Sequence, residues 1–559
     1  MVACCILSPV FVETIRSKAK SGKVYETCLV RESVRTPQGP RSRTICNISG
    51  LPPETRHAVA DSLKGLALVC PTSAVLENAL DFGGLAVLRD AWRRFGLPEF
   101  FAGIAPEHAA RLQAMVFSRL LFPCAKLALA DEARGTALAA ACGLPAQETF
   151  DEDDLYAAMD QLTGRWSPLI QGLYRKAFPD KVRIALYDIT SVYFEGHGPK
   201  GLAHFGYSRD HRPDRRQVNL AVVTDREGVP LSLSILRGNR ADNKTLLGLL
   251  KLLKRRFGIT EATFVFDGGM SGEINLQAMT EAGLDYVTRL SNATLHSLIT
   301  SHDSVAVDMA QMELGDRPQL IELEHEGKRY VLAGGAWRAA RDAERRQARL
   351  AKGETLLTRL AAAKRKTVNA QKLASTAGRA LERVKAHKYF TYQVNPEGML
   401  IWARKKEVIK EEQNRDGWYL LHTSQTPEKC SKEEVLSHYK GLLEVEDAFR
   451  ELKTYLEVRP VYHYRPDRVI NHIRLCYLAY WISARLGREW GLCGEHQEVV
   501  RLLRGLQTIR LGGLRFGDSA VRPVMTSIPP DQEETLKKLK LHKLFQTPPA
   551  WATPKKPAL

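Results

Sequence analysis

The alternation of apolar and polar positions changes its period several times along the chain. Up to about residue 70, short alternating runs broken by turns, "KVYETCLVRES" and then "PQGPRSRTICNISGLPP", predict strands and a hairpin. The opening "MVACCILSPVFV" is apolar with no basic segment before it, so it reads as a strand or a frayed start, not a signal peptide. From about 74 to 178 the period becomes helical, as in "AVLRDAWRRFG", "PEHAARLQAMVFSRLLF" and "DDLYAAMDQLTGRWSPLIQGLYRKAF".

Strands return at 181. "KVRIALYDITSVYFEG" is a buried strand carrying Asp188, and "RRQVNLAVVTD" and "VPLSLSILRG" are two more, joined by the turn "DREG". "DNKTLLGLLKLLKRRFG" predicts an amphipathic helix with Asp242 placed to cap it. "ATFVFDGG" is a fourth strand ending on Asp267, "GEINLQAMTEAG" a helix and "DYVTRL" a fifth strand. The order β-β-β-α-β-α-β is that of an RNase H-like fold, in which a carboxylate on the first strand lies beside one at the end of the fourth. Such a sheet needs a closing helix, for which 437–460 is the candidate.

A long interruption covers about 292–430. Strand-like pieces in "PQLIELEHEGKRYVLAGG" lead into a helical run from Trp337 to about His387, with Gly353 and Gly378 as breaks. "YFTYQV", "MLIWARKK" and "GWYLLHTS" then predict strands. The expected class is α/β: an RNase H-like catalytic core interrupted by a long mixed insertion and preceded by an N-terminal β piece and an all-α domain. The expected segments are 1–72, 73–180 (helical), 181–291 (core, first part), 292–430 (insertion), 431–490 (core, last helices) and 491–559 (a tail and possible interaction segment).

Composition changes the picture in one respect. A 559-residue chain exceeds a single core, and its 44% hydrophobic and 26% charged content is ordinary for a globular protein. The balance of 81 Lys+Arg against 63 Asp+Glu, net +18, is not ordinary and favours a polyanionic partner. Nucleic acid fits better than membrane, because no uncharged apolar run reaches the ~18–20 residues of a span. Residues 338–388 hold fifteen Lys/Arg against four Asp/Glu, a one-signed excess that phosphate contact explains and helical ion pairing does not. Basic residues on the faces of the 74–178 helices suit recognition of DNA ends and equally a plain bundle. Ten scattered cysteines, Cys4 and Cys5 adjacent and no CxxC, argue against a zinc ribbon or disulfide scaffold and fit a reducing cytosol. His197, His204 and His211 fall in a Gly/Pro-rich loop without a second cluster of soft ligands and read as loop or phosphate-side histidines.

The stretch "SHYKGLLEVEDAFRELKTYLEVRP" reads as a helix, yet Tyr439, Glu446 and Lys453 recur at intervals of seven. At about 100° per residue, Glu446 lies roughly 20° and Lys453 roughly 40° around the axis from Tyr439, with Arg450 roughly 20° to the other side. One reading is a solvated charged face with pairs such as Glu446–Arg450. The other is a carboxylate flanked by cations and a phenol, suited to a metal and a phosphate. Asp188, Asp267 and Glu446 stand in the right elements and the right order to hold two divalent cations about 4 Å apart. Mg²⁺ suits the all-oxygen ligand set.

The chain resembles the DDE transposases of bacterial insertion sequences, in the group whose third-acid helix carries a Tyr-x2-Arg-x3-Glu-x6-Lys signature. Here the spacing reads Tyr439, Leu442, Glu446, Lys453, with Leu where the signature has Arg. "FGYSRDHRPDRRQVNLAVV", "GVPLSLSILRGNRADNKTL", "FDGGMS" and "EVRPVYHYRPDRVINHIRLCYLAYW" extend the resemblance over roughly 180–490. It implies catalytic, metal-binding roles for Asp188, Asp267 and Glu446, with two Mg²⁺ ions and Mn²⁺ as a substitute. It implies phosphate contacts from Tyr439 and Lys453, with Arg450 expected to replace the Arg absent at Leu442. It further implies cut-and-paste chemistry on double-stranded DNA bearing terminal inverted repeats, joining of 3′-OH ends to target DNA, a homodimer in the synaptic complex, and a cytoplasmic, nucleoid-associated location. Relatives stack an insertion-domain aromatic on a flipped base. Trp337, Trp402 and Trp418 are the candidates, each also readable as a packing residue. "VINHIRLCYLAYWISARLG" is expected to be scaffold packing. The competing readings are another RNase H-like, structure-specific nuclease and a catalytically silent DNA-binding relative.

Overall fold

The computed structural model describes residues 10–18, 22–66, 74–145, 148–180, 182–240, 245–363, 369–516 and 520–552. Cys4, Cys5 and the expected helix cap Asp242 lie outside the described residues. The chain divides into two compact units, Met1–Leu80 with Ile509–Ile528 and Phe545–Leu559, and Asp81–Thr508 with Pro529–Leu544.

In the first unit, β1 (Val10–Lys18), β2 (Val24–Thr36) and β3 (Gly39–Asn47) form an antiparallel sheet with β2 central. Its inward positions Cys28 and Val30 alternate with period two and bury against Val59 and Leu63 of α1 (Pro53–Leu63). β4 (Ala74–Asp81) belongs to a second sheet, next to the late strand Arg510–Phe516, which pairs with Arg522–Met525.

Among the described residues, the second unit opens with seven helices: α2 (Gly83–Arg94), α3 (Leu97–Phe101), α4 (Pro106–Leu121), α5 (Lys126–Glu132), α6 (Leu138–Cys142), α7 (Glu152–Asp160) and α8 (Trp166–Ala177). The β-β-β-α-β-α-β run follows as expected: β5 (Ile184–Tyr193), β6 (Gln217–Thr224), β7 (Pro230–Arg237), α9 (Leu246–Phe257), β8 (Thr263–Phe266), α10 (Glu273–Glu281) and β9 (Asp285–Arg289). Next come α11 (Asn292–Ser301), α12 (Asp303–Gln311), β10 (Gln319–His325), β11 (Lys328–Gly334), α13 (Ala336–Ala362) and α14 (Ala370–Arg383). β12 (Phe390–Val394), β13 (Leu400–Arg404), α15 (Lys406–Gln413) and β14 (Trp418–Thr423) close the interruption. The chain then enters α16 (Lys432–Lys440), α17 (Leu442–Arg450) and α18 (Pro466–Trp490).

Among the described residues, eight strands form one mixed sheet in the order β10-β11-β14-β9-β8-β5-β6-β7. β5, β8 and β9 run parallel, and the other neighbours are antiparallel. Three strands from within 292–430 therefore continue the same sheet as β5–β9. What stands off it is a smaller body with its own core, where Leu350 and Leu357 of α13 meet Leu373, Ala377 and Leu381 of α14 and Phe390 of β12. The helices do not break at Gly353 or Gly378. A Cβ on Gly353 would lie 2.5 Å from Phe390, and one on Gly378 2.7 Å from the Tyr392 hydroxyl, so both glycines admit the β12–β13 hairpin against unbroken helices.

The faces of β5 explain where the site lies. Ala185, Tyr187 and Ile189 point into the core with Leu249, Leu253 and Met279 of α9 and α10. Leu186 and Asp188 take the opposite face by the period of two, and α17 packs there. The helix α18 is buried from Leu475 to Leu486 except at Arg485, as expected of a scaffold helix. It is fixed to the turn before β7 by Tyr477, whose hydroxyl donates to the Pro230 carbonyl at 3.1 Å, and by Tyr480, which donates to Gly228 at 2.6 Å. Among the described residues no single helix is long and apolar enough to cross a membrane. The bent pair α4 and α5 has such a composition, with α4 buried from Leu112 to Leu121.

Candidate active site

Open α/β sheets present ligands at the carboxyl ends of their parallel strands, and this sheet places its acids there. Tyr187 pairs with Phe266 and Phe266 with Thr288, so Asp188, Asp267 and Arg289, one residue on, fall in neighbouring register. Directly opposed residues share a face. Asp267 follows the last residue of β8, and the next residue must be glycine: a Cβ on Gly268 would lie 2.6 Å from the Arg289 carbonyl oxygen. The third acid arrives on a helix with a defined start. Ser431 and Glu434 form a reciprocal capping box on α16, Ser431 accepting from the Glu434 amide at 3.2 Å and Glu434 from the Ser431 amide at 2.8 Å. Gly441 joins α16 to α17 in helical geometry, close against Leu186 of β5.

Asp188, Asp267, Tyr439 and Glu446 thus line one cavity of about 580 Å³, together with Arg289, Arg338, Tyr419 and Trp337. Asp267 and Glu446 are open to solvent and Asp188 is half-buried. Burial, reinforced by the Asp267 and Glu446 carboxylates, pushes Asp188 up to about 7, against the Ile189 amide that donates to it at 2.7 Å and against Arg209. Partial desolvation and then the Asp267 and Asp447 carboxylates raise Glu446, with Arg450 opposing. Burial and Asp267 hold the Tyr439 phenol up to about 12, so it stays a neutral donor, although a hydrogen bond from Arg289 opposes this. The cations stack along the aromatic rings. Arg338 lies 4.6 Å and Arg289 5.8 Å from the Tyr419 ring, which sits 5.9 Å from that of Tyr439.

The remaining predicted residues go elsewhere. Arg450 pairs with Asp447 at 2.5 Å, is more than half exposed, and lines a neighbouring cleft with Glu451 and Glu498. Lys453 lies in a π-helical turn, Glu451–Tyr455, and donates to Asp210 at 2.7 Å, both side chains buried. Burial lowers its pKa, with Asp210 opposing. The stripe computed at 100° per residue assumed α-geometry throughout; the wider π-turn after Arg450 turns Lys453 away from Glu446. Of the tryptophans, only Trp337 stands at the cavity, 72% exposed beneath the guanidinium of Arg341. Trp418 is core, packed over Gly334, and Trp402 packs edge-on against Phe390. Arg289, Arg338 and Tyr419 were missed. The one available signal was an arginine ending a parallel strand, beside the acid that ends its neighbour.

Residues 180–482, more than half of the chain, match the family model described as the transposase DDE domain. The chain belongs to the DDE transposase family. Membership makes it an enzyme class that cleaves and transfers nucleic acid, with DNA as partner and divalent metal ions in general use. No curated protein matches the chain. Among solved structures, the piggyBac transposase in a synaptic complex with hairpin DNA aligns with 72% of this chain and 71% of its own at 8% identity and a TM-score of 0.36. Among the described residues, the cavity offers the carboxylates of Asp188, Asp267 and Glu446, from three elements, and no thiol or imidazole, a donor set for hard divalent cations. Among the described residues no three His, Cys, Asp or Glu side chains converge closely enough to hold an ion as they stand.

Proposed function

We propose that this DDE transposase cleaves DNA at the terminal inverted repeats of its own insertion sequence and joins the freed 3′-hydroxyl ends to target DNA. The observation that carries the reading is the meeting of Asp188, Asp267 and Glu446, from three separate elements, in one cavity rimmed by Arg289, Arg338 and Tyr439. The three acids would hold Mg²⁺, or Mn²⁺ in its place. The ions would supply Lewis acidity for in-line displacement at phosphorus.

The chain's own residues do the rest. Arg289 and Arg338 neutralise the scissile phosphate, a bidentate task suited to guanidinium, and take the place left by Leu442. Tyr439, held neutral, donates its hydroxyl proton to a phosphate oxygen. Lys453 braces the loop at Asp210. Trp337 is the insertion-side aromatic able to meet a displaced base. Two such chains would synapse two ends as a dimer.

The test is strand cleavage of a labelled duplex carrying the repeats that flank the gene, with Mg²⁺, beside a Glu446→Ala protein. Nicking at the repeat boundary, lost in Glu446→Ala, is the expected result. Cleavage indifferent to the repeat favours a general nuclease, and specific binding without cleavage favours a silent relative.

A further inference from the structure

Four large aromatic side chains stand out of the surface near the acids, on two segments that the site does not use. Phe205 and Tyr207 lie between β5 and β6; Tyr462 and Tyr464 precede α18. All four are exposed, Tyr207 by 82% and Tyr464 by 72%. Single exposed rings need no explanation, but four on two joined segments do.

The segments are joined and braced. Val461 bridges Phe194 in parallel, its amide donating to the Tyr193 carbonyl at 3.3 Å while the Glu195 amide donates to Val461 at 3.2 Å. Asp210 accepts from Lys453 and from Arg459, each at 2.7 Å, and its side chain is almost wholly buried. Arg212 and Arg459 both lie over the ring of Tyr193, at 5.2 and 5.8 Å. The Tyr464 hydroxyl would lie 3.9 Å from a Cβ on Gly196, so its ring reaches back across the β5 exit. Rings held on such a frame lose little entropy when a flat partner covers them.

Cations accompany the rings. Arg209 lies 5.8 Å from the Tyr207 ring and Arg216 5.6 Å from that of Phe205. The surface lies beside the acid cavity: the Arg209 amide donates to Ser191 Oγ at 2.9 Å, three residues beyond Asp188 on the same strand, and Asp210 next to it holds Lys453, which follows the helix that carries Glu446. Flat apolar rings alternating with guanidinium groups match a strand of flat bases alternating with phosphates. A paired duplex hides its base faces, so the fitting occupant is unpaired.

We propose that Phe205, Tyr207, Tyr462 and Tyr464 form a stacking platform for unpaired nucleotides of the DNA strand that enters the Asp188–Asp267–Glu446 cavity. The proposal rests on the DNA-cleavage reading of that cavity. Tyr207 with Arg209 is its inner end and Tyr464 its outer one.

The experiment uses the full chain in EDTA, with a fluorescent single-stranded thymidine oligonucleotide and a blunt, fully paired duplex as separate probes. Stacking on one ring is worth about 5- to 150-fold in affinity. Tyr207→Ala/Tyr464→Ala is therefore expected to lose at least about tenfold on the single strand while binding the duplex as the parent does, which also reports a folded protein. Tyr207→Phe/Tyr464→Phe keeps the rings and is expected to keep the affinity. A 2-aminopurine in the oligonucleotide should be quenched by the parent and the Phe protein only. Unchanged single-strand affinity in the Ala protein, an equal loss on the duplex, or a Phe protein as weak as the Ala one would each overturn the platform. Cleavage with Mg²⁺ is measured in parallel. A parent that stacks the single strand and never cuts DNA overturns the reading of the cavity alone. A parent that cuts, with Ala variants that bind the single strand as tightly, overturns the platform alone.

Discussion

Replacing Asp188 by Asn should stabilise the metal-free protein above neutral pH while abolishing cleavage. Asp188 ionises near 7 in the folded chain, against about 3.9 in an unfolded one. Below pH 4 both states hold the proton and the residue costs nothing. Between pH 4 and 7 the unfolded state releases it and the folded state keeps it, so stability falls as pH rises, and above 7 the full cost remains. Three pH units at 1.36 kcal/mol each set an upper bound of about 4 kcal/mol, and relaxation and water entry make about 2–4 kcal/mol the working range. The unit that holds the site comprises Asp81–Thr508 and Pro529–Leu544. At about 2.1 cal/mol/K per residue its unfolding entropy is roughly 0.9 kcal/mol/K, so the effect is about 2–4 °C in Tm.

Asn keeps the size of Asp and accepts the same amide hydrogen bond from Ile189. Calorimetry in EDTA at pH 4 and pH 8 is the assay. Asp188→Asn should melt higher than the parent at pH 8, with the two nearly level at pH 4. Adding Mg²⁺ at about a hundred times its Kd should then raise the parent by about 2.7 kcal/mol and the variant by much less. A variant that melts below the parent at pH 8, or that keeps the parent's pH slope, would refute the electrostatic account.

Three further outcomes test the surroundings. Arg289→Ala should lower single-turnover strand cleavage about 10²- to 10³-fold with the fold intact, since it removes a preorganised donor; a loss under about tenfold would remove Arg289 from the phosphate. Gly268→Ala forces a Cβ to within 2.6 Å of the Arg289 carbonyl, which should cost about 1–3 kcal/mol and be visible as a lower denaturant midpoint. Asp210→Ala leaves Lys453 and Arg459 facing each other without their shared acceptor. Urea unfolding should show a loss of about 3–5 kcal/mol, and an unchanged midpoint contradicts a paired buried carboxylate.

The sheet and its acids were legible because strand periodicity and strand ends are local. "IALYDITSVY" and "TFVFDGG" announce buried strands, and their parallel pairing in the observed register sets Asp188 beside Asp267. Three things were not local. The π-turn at Glu451 has no sequence signature that a constant angle per residue can catch, and it decides where Lys453 points. Gly353 and Gly378 read as helix breakers until Phe390 and Tyr392 are placed against them. Arg289 precedes the interruption and Arg338 lies within it, and the two meet because β14 docks on β9 and carries Tyr419 between them. The tryptophans make the same point. Trp418 is core because the residue opposite it across the sheet, Gly334, lacks a side chain.

The docking of β14 on β9 also bears on how the enzyme is born. Arg289 and its partner Leu421 are 132 residues apart, which a ribosome working at about 5–20 residues per second takes roughly 7–26 s to span. Throughout that interval β9 is an open sheet edge, able to pair with another nascent chain. Glu446 is synthesised later still. A nascent or truncated chain therefore has two strand acids and no third, and the capacity to cut DNA arrives only after the exposed edge has been sealed.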